Sequence, residues 1–147
     1  MTITLRPARD LDCGALGAMM SSYFAENDWL PRLCSGAEDI ANCAMMIDRG
    51  WVTVAGDGRP KGFLALQDNF VHALFVAPPE RGQGVGKALL DAAKSRHSRL
   101  ELWTFKRNVA ARNFYRREGF AEVGTSVGKH SDHGLPEIDL LWERNAA

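Results

Sequence analysis

Residues 81–87 read RGQGVGK, with glycines at 82, 84 and 86 between an arginine and a lysine, and run straight into ALLDAAKSRHSRL. A helix start leaves its first N–H groups unpaired and carries partial positive charge. Glycine there removes the side chains that would hold an anion's oxygens away. Arg81 and Lys87 add charge at the flanks, so the stretch suits a phosphate group. A plain strand-to-helix turn needs one such glycine, not three with two cations. Two phosphate motifs are excluded. A P-loop requires glycine at position 81 and Ser or Thr after the lysine, where Arg81 and Ala88 stand. A dinucleotide fingerprint starting at Gly82 or Gly84 requires a small residue at 87 or 89, where Lys87 and Leu89 stand.

The elements that must position this turn follow from periodicity. After the glycines, Val85, Ala88, Leu89, Ala92 and Ala93 recur at helical spacing while Lys87, Asp91, Lys94 and Ser95 take the other face, which predicts a helix over 83–97. Upstream, WVTVAGDGRPKGFLALQDNFVHALFVAP holds three β-rich runs separated by the turn signals GDGRP and QDN, a three-stranded antiparallel meander. TITLRPA predicts a first strand. Helices are expected from Asp10 to about Phe24, with Gly14 and Gly17 weakening the pattern, and from Ser35 to Ile47, with AENDWLPRLCSG as the connection. Downstream come a strand at LELWTF, a helix from Asn108 to Glu118, and strands at FAEVGT and EIDLLWE. The pattern is mixed α and β, with no repeat or long linker, so residues 1–147 are expected to form one domain.

Composition limits the partners. Apolar residues make up 46% and charged residues 24%, the balance of a soluble globular chain. Lys plus Arg and Asp plus Glu number 18 each, so no global basic field attracts nucleic acid or anionic lipid, and any anion site must be local. The N-terminal stretch lacks a secretory pattern, and no run approaches the ~18 apolar residues of a membrane span, which points to the cytoplasm. Cys13, Cys34 and Cys43 have no CxxC spacing and read as reduced, mostly buried thiols. His130 and His133 in GKHSDHG have a spacing that could hold a metal, but no further ligands accompany them; a flexible loop and no metal are expected.

ALFVAPPERGQGVGKALL followed by NVAARNFYRREGF strongly resembles the signature of the GNAT superfamily of coenzyme A-dependent N-acetyltransferases. Arg81, Gly84 and Gly86 match its first motif. Asn108, Ala111, Phe114, Tyr115, Gly119 and Phe120 match the later one. The likeness spans roughly residues 70–120, and the first 50 residues match in layout only. What it implies is a GNAT-like α+β fold: a mostly antiparallel twisted sheet of six to seven strands flanked by about four helices. It further implies that acetyl-CoA lies with its pyrophosphate on backbone N–H groups of Gln83, Gly84, Val85, Gly86 and Lys87. The pantetheine arm would pair with Leu74 to Val76, and an N–H near Phe75 or Val76 would donate to the thioester oxygen.

Under the same resemblance Asn108 would bond the pantetheine arm, although Asn is also a favoured N-cap. Tyr115, seven residues on and so on the same helix face about 10.5 Å away, would protonate the leaving thiolate, or else serve as a core aromatic. An alkylamine acceptor is almost wholly protonated at neutral pH, so a base is required. Relatives often carry a carboxylate on the strand before the turn; here His72 stands near that point, as a base or as a structural residue. Strand alternation would put His72 on one face with Leu74 and Val76. Glu26, Asp28 and Trp29 could bind a cationic acceptor through charge and cation–π contact, or form a solvated loop around one aromatic anchor. The function expected is direct transfer of an acetyl group to a primary amine of a small molecule or peptide, with no covalent enzyme intermediate and with a homodimer allowed. The alternative is a noncatalytic acyl-CoA binding or sensing module.

Overall fold

The computed structural model describes residues 3–144. Seven strands form one sheet: β1 (Leu5–Pro7), β2 (Val52–Ala55), β3 (Gly62–Gln67), β4 (Phe70–Val76), β5 (Arg99–Phe105), β6 (Ala121–Val127) and β7 (Pro136–Glu143). Their order is β1-β2-β3-β4-β5-β7-β6, and every neighbouring pair is antiparallel except β4 with β5. Four helices cover it: α1 (Cys13–Glu26), α2 (Gly36–Asp48), α3 (Val85–Arg96) and α4 (Val109–Arg117). The expected fold class, meander and order of elements hold. The N-terminal part of the predicted first strand, Thr2, lies outside the described residues. A 3-10 turn at Asp10–Asp12 opens the first helix, so regular α structure begins at Cys13. Among the described residues no helix is long and apolar enough to cross a membrane.

Alternation along the strands sends side chains into two layers. Leu64, Leu100, Leu102 and Leu140 pack with Val85, Leu89, Leu90 and Ala93 of α3 on one face. Phe63, Ala65 and Ala73 pack with Leu16 and Met19 of α1 and Cys43 and Met46 of α2 on the other. Gly17, which costs helix propensity, is required by this second layer. A Cβ there would sit 2.6 Å from Ile40 Cγ1 and 3.0 Å from Ile40 Cα, so α1 and α2 cross at glycine distance. Ser35 starts α2 with a reciprocal cap: its Oγ accepts from the Glu38 N–H (3.1 Å) and its own N–H donates to Glu38 Oε1 (3.0 Å).

One irregularity and one divergence shape the site. Ala65 pairs with Ala73 but Leu66 pairs with Val71, which leaves His72 as the extra residue of a β-bulge. The bulge breaks the alternation expected from sequence: Ala73 joins the α1/α2 layer, yet Val71, two residues earlier, joins the α3 layer. The parallel strands β4 and β5 register only at Phe70 and Glu101, supported by the Glu101 N–H donating to Asn69 O (2.9 Å). Beyond that point they separate, and the gap opens a cleft through the sheet.

Candidate active site

The cleft has a volume of about 710 Å³ and is lined by the C-terminal halves of β4 and β5, the start of α3, the inner face of α4 and the end of α1. At its α3 end, Gly84 is the N-cap in the left-handed region (φ 82°), where L side chains are strained. The Ala88 N–H makes the first helical bond, to Gly84 O (3.0 Å), so the N–H groups of Val85, Gly86 and Lys87 precede the helical ladder. Those residues and Gly84 line the cleft, whereas Gln83 does not and instead reaches Pro79 O at 3.4 Å.

The flanking cations have partners. Arg81 forms a fork with Glu26 at the end of α1, Nη1 to Oε2 and Nη2 to Oε1 both at 2.7 Å. That pairing holds the Glu26 carboxyl below the usual glutamate range and raises the arginine. Lys87 lies 3.3 Å from both Asp91 and Glu118. The turn therefore offers backbone N–H groups to the cleft, with Arg81 locked to α1 beside it.

Along β4, the Ala77 N–H donates back to Lys61 O of the β3 side (2.8 Å). Alternation then turns the N–H groups of Leu74 and Val76 toward the open edge and that of Phe75 away from it. Leu74, Phe75 and Val76 all line the cleft. Asn108 caps α4: its Oδ1 accepts from the Ala111 N–H and its Nδ2 donates to the Tyr23 hydroxyl, each at 3.1 Å. Ala111 and Phe114 continue that wall.

Tyr115 lies deeper on α4, half-buried, edge-on to Phe114 (5.2 Å) and Phe120 (5.4 Å). Burial pushes its phenol well above the ordinary tyrosine value, and the neighbouring Tyr23 adds to the shift. Tyr23, which sequence reading did not single out, has its own phenol raised by burial, against the lowering effect of Asn108. Both of the chain's two tyrosines line this cleft.

His72, at the bulge, also lines the cleft. It stacks on Trp51 (4.8 Å, 6° between planes), and its Nε2 lies 2.9 Å from Gln67 Oε1. An amide oxygen only accepts, so the proton sits on Nε2 and Nδ1 keeps its lone pair. Burial lowers the imidazole pKa, which favours the neutral form. The face-sharing with Leu74 and Val76 expected from alternation fails because the bulge seats the ring on Trp51.

The far end is aromatic. Trp103 and Phe105 of β5 line it, with Phe75 and Tyr23 opposite. Their i, i+2 spacing in LELWTF was the available signal, since alternate strand residues share a face. Trp29 stands behind Phe105 (5.6 Å, edge-on) with the Arg107 guanidinium over its ring, and neither Trp29 nor the exposed Asp28 lines the cleft. Of the three expected acceptor residues, only Glu26 does. Arg32 ties the 27–35 connection to buried Asp39 (2.7 Å) and covers the Phe24 ring. None of the three cysteines lines the cleft, and burial, with Asp39 nearby, pushes the Cys43 thiol up to about 12.

The loop expected to be flexible is instead pinned. Glu137 is wholly buried; its Oε1 accepts from the His130 N–H (2.8 Å) and its Oε2 from the Ser131 N–H (3.1 Å) and Oγ (2.8 Å). A carboxylate at 137 thus closes the β6–β7 turn, a role GKHSDHG alone does not reveal.

A backbone anion cradle, an open strand edge and a phenol facing one cleft suit a transferase that handles a phosphate-bearing thioester, and the chain belongs to the GNAT family: the family described as Acetyltransferase (GNAT) domain matches residues 39–122. Acetyltransferases of this family use acetyl-CoA. The Peptidyl-lysine N-acetyltransferase YjaB of Escherichia coli (strain K12) is 37% identical over 144 residues, a match covering 97% of this chain and 98% of that protein. Its namesake in Salmonella typhimurium (strain LT2) is 33% identical over 92 residues, and the matched segment spans 63% of that protein and of this chain. The solution structure of apo YjaB from Escherichia coli superposes with a TM-score of 0.79 at 28% identity, over 97% of this chain and 98% of that one.

The residues present fit acetyl-CoA. First-turn N–H groups outside the helical ladder would meet a pyrophosphate, and the free edge of β4 would suit an amide-bearing arm. Gly86 leaves room where a Cβ would come within 3.4 Å of Phe114.

Proposed function

We propose that the protein transfers the acetyl group of acetyl-CoA directly to a primary amine, with the side chain of a peptide lysine as the acceptor class. The observation that carries this reading is the continuity of one cleft from the α3 N–H cradle past Tyr115 to His72 and the aromatic end. Acetyl-CoA supplies an activated acetyl carbon. The N–H groups of Val85, Gly86 and Lys87 hold its pyrophosphate, and the N–H of Val76 meets the thioester oxygen, where charge develops during attack.

His72 takes the proton that the acceptor ammonium must lose, through Nδ1, directly or through a water. Its lowered pKa keeps it available as a base at neutral pH. The amine nitrogen would bond to the acetyl carbon and give up its second proton, the carbon–sulfur bond would break, and Tyr115 would give its proton to sulfur and be reprotonated, through water, by the one the nitrogen releases. A phenol with a raised pKa retains that proton until the thiolate forms. The buried, protonated Cys43 and the position of all three cysteines off the cleft support transfer without an acyl-enzyme. The names of the YjaB relatives support lysine as acceptor.

The test is incubation with acetyl-CoA and a lysine-containing peptide, reading free thiol and the acetylated product by mass. Equal amounts of both are expected; acetyl-CoA binding without peptide acetylation would leave a binding module.

A further inference from the structure

The family resemblance gives Asn108 to the pantetheine arm, but both ends of that side chain are already in use. Its Oδ1 accepts from the Ala111 N–H, and its Nδ2 lies 3.1 Å from the Tyr23 hydroxyl. The cap settles which way round the amide sits: only the oxygen can accept from an N–H, so the NH2 group faces Tyr23. An NH2 group only donates, so the Tyr23 oxygen accepts and its own hydrogen points elsewhere. Among the described residues no protein group takes that hydrogen.

Tyr23 is held firmly at this point. It sits in the last turn of α1, where Asn27 Nδ2 donates to its carbonyl (2.7 Å) and the Glu26–Arg81 fork ties the helix end to the phosphate turn. Its ring meets Phe24 and Phe75 edge-on, each at 5.7 Å. Phe75 belongs to β4, and Tyr23 lines the same cleft as Asn108, Leu74 and Val76. The ring therefore belongs to the aromatic end, while the hydroxyl turns to the cap of α4 with one hydrogen free.

A free hydrogen calls for a ligand atom that accepts. The amine substrate arrives as an ammonium, which only donates, whereas the amides of the pantetheine arm carry carbonyl oxygens. We infer that the Tyr23 hydroxyl donates to an amide carbonyl of the pantetheine arm, and that Asn108 serves the arm by holding that hydroxyl rather than by touching it. The inference rests on the acetyl-CoA cleft of the proposed function and not on the identity of the amine. Tyr23 is then the contact and Asn108 a positioning residue.

Tyr23→Phe keeps the ring against Phe24 and Phe75 and removes only the oxygen. In calorimetric titration coenzyme A and acetyl-CoA should both bind about fivefold more weakly, the worth of one hydrogen bond, while 3′-phospho-ADP, the cofactor's nucleotide without its arm, binds as before. A loss for acetyl-CoA alone would put the hydrogen on the acetyl oxygen. That result, unchanged coenzyme A binding, or an equal loss for the nucleotide overturns the inference. Asn108→Asp keeps the helix cap but replaces the amide donor with a carboxylate, which takes the Tyr23 hydrogen for itself. It should cost coenzyme A the same affinity, with nothing added when it is combined with Tyr23→Phe. Losses that multiply would place Asn108 on the arm directly and overturn the inference, and where Tyr23→Phe does not fold, unchanged coenzyme A binding by Asn108→Asp does so. Wild type that binds neither coenzyme A nor the nucleotide overturns the proposed function as well, and so is told apart from a failure confined to the variants.

Discussion

The two ends of the cleft are made of different material. The cofactor end is backbone: N–H groups at the start of α3, the free edge of β4, and glycines that keep side chains away. All of it comes from one stretch of chain, residues 74–87, with α4 closing it. The other end, where the proposed acceptor would sit, is side chain and almost wholly aromatic. Tyr23 comes from α1, Phe75 from β4, and Trp103 and Phe105 from β5. A contiguous backbone cradle has one geometry and suits one invariant ligand. A wall assembled from three distant segments can vary its lining without disturbing the cradle, so under the proposed function the first end would set what is donated and the second what receives it.

The largest effect is expected at the junction of the two ends. Tyr115→Phe should lower kcat by about a hundredfold, the low side of general-acid contributions, while the acetyl-CoA dissociation constant stays within about twofold. Steady-state kinetics paired with calorimetric titration reads both, and unchanged kcat would transfer the acid role to the other phenol in the cleft, Tyr23. Next comes a change confined to the cofactor end. Gly86→Val pushes a side chain toward Phe114 and Val76, which a Cβ alone would approach to 3.4 and 3.6 Å. Losing one or two charge-assisted N–H contacts should weaken acetyl-CoA binding roughly thirtyfold. Amine binding, measured with coenzyme A at saturation, should be little altered; parallel loss of both would show that the ends are not separable.

The same contrast explains what the sequence disclosed. The cradle was legible because its chemistry is local: three glycines and a helix start stand next to one another, and Asn108 and Tyr115 lie one helical face apart. Even there the residues named the turn better than the contacts, since Arg81 turns to Glu26 and Gln83 leaves the cleft. The acceptor end is non-local. Nothing about Tyr23 in SSYFAEN announces that its hydroxyl meets Asn108, 85 residues away. The pinning of GKHSDHG depends on one buried carboxylate in the following strand, and the seat of His72 depends on a bulge that periodicity cannot register. Gly17 misled for a related reason: its cost to the helix is local, whereas its use, contact with Ile40, is tertiary.

His72 gives a test by pH with a defined sign. Its pKa is lowered by burial, so the acid limb of kcat/KM should fall below the ordinary histidine midpoint of about 6.5 and disappear in His72→Gln. Stability moves the same way. The unfolded chain takes up the proton first, so the contribution of neutral His72 is present above about 6.5 and is lost as pH falls through the folded value. An acid limb that survives His72→Gln would assign the base to another group at the aromatic end.

The smallest expected effect tests the tie between the ends. Arg81 is the cation nearest the cradle, yet its fork with Glu26 neutralises it and fastens α1, which carries Tyr23, to the phosphate turn. Glu26→Gln releases that charge. Acetyl-CoA should then bind about two- to fivefold tighter at low salt, the range of an exposed ion pair, and the gain should vanish at about 1 M salt, where screening acts within a few ångström. The acceptor KM should rise modestly in the same variant, because the end of α1 loses its anchor to the turn. Opposite signs at the two ends are the signature of a shared strut. If acetyl-CoA instead binds more weakly, Glu26 holds Arg81 in its working position, and the fork belongs to the cradle.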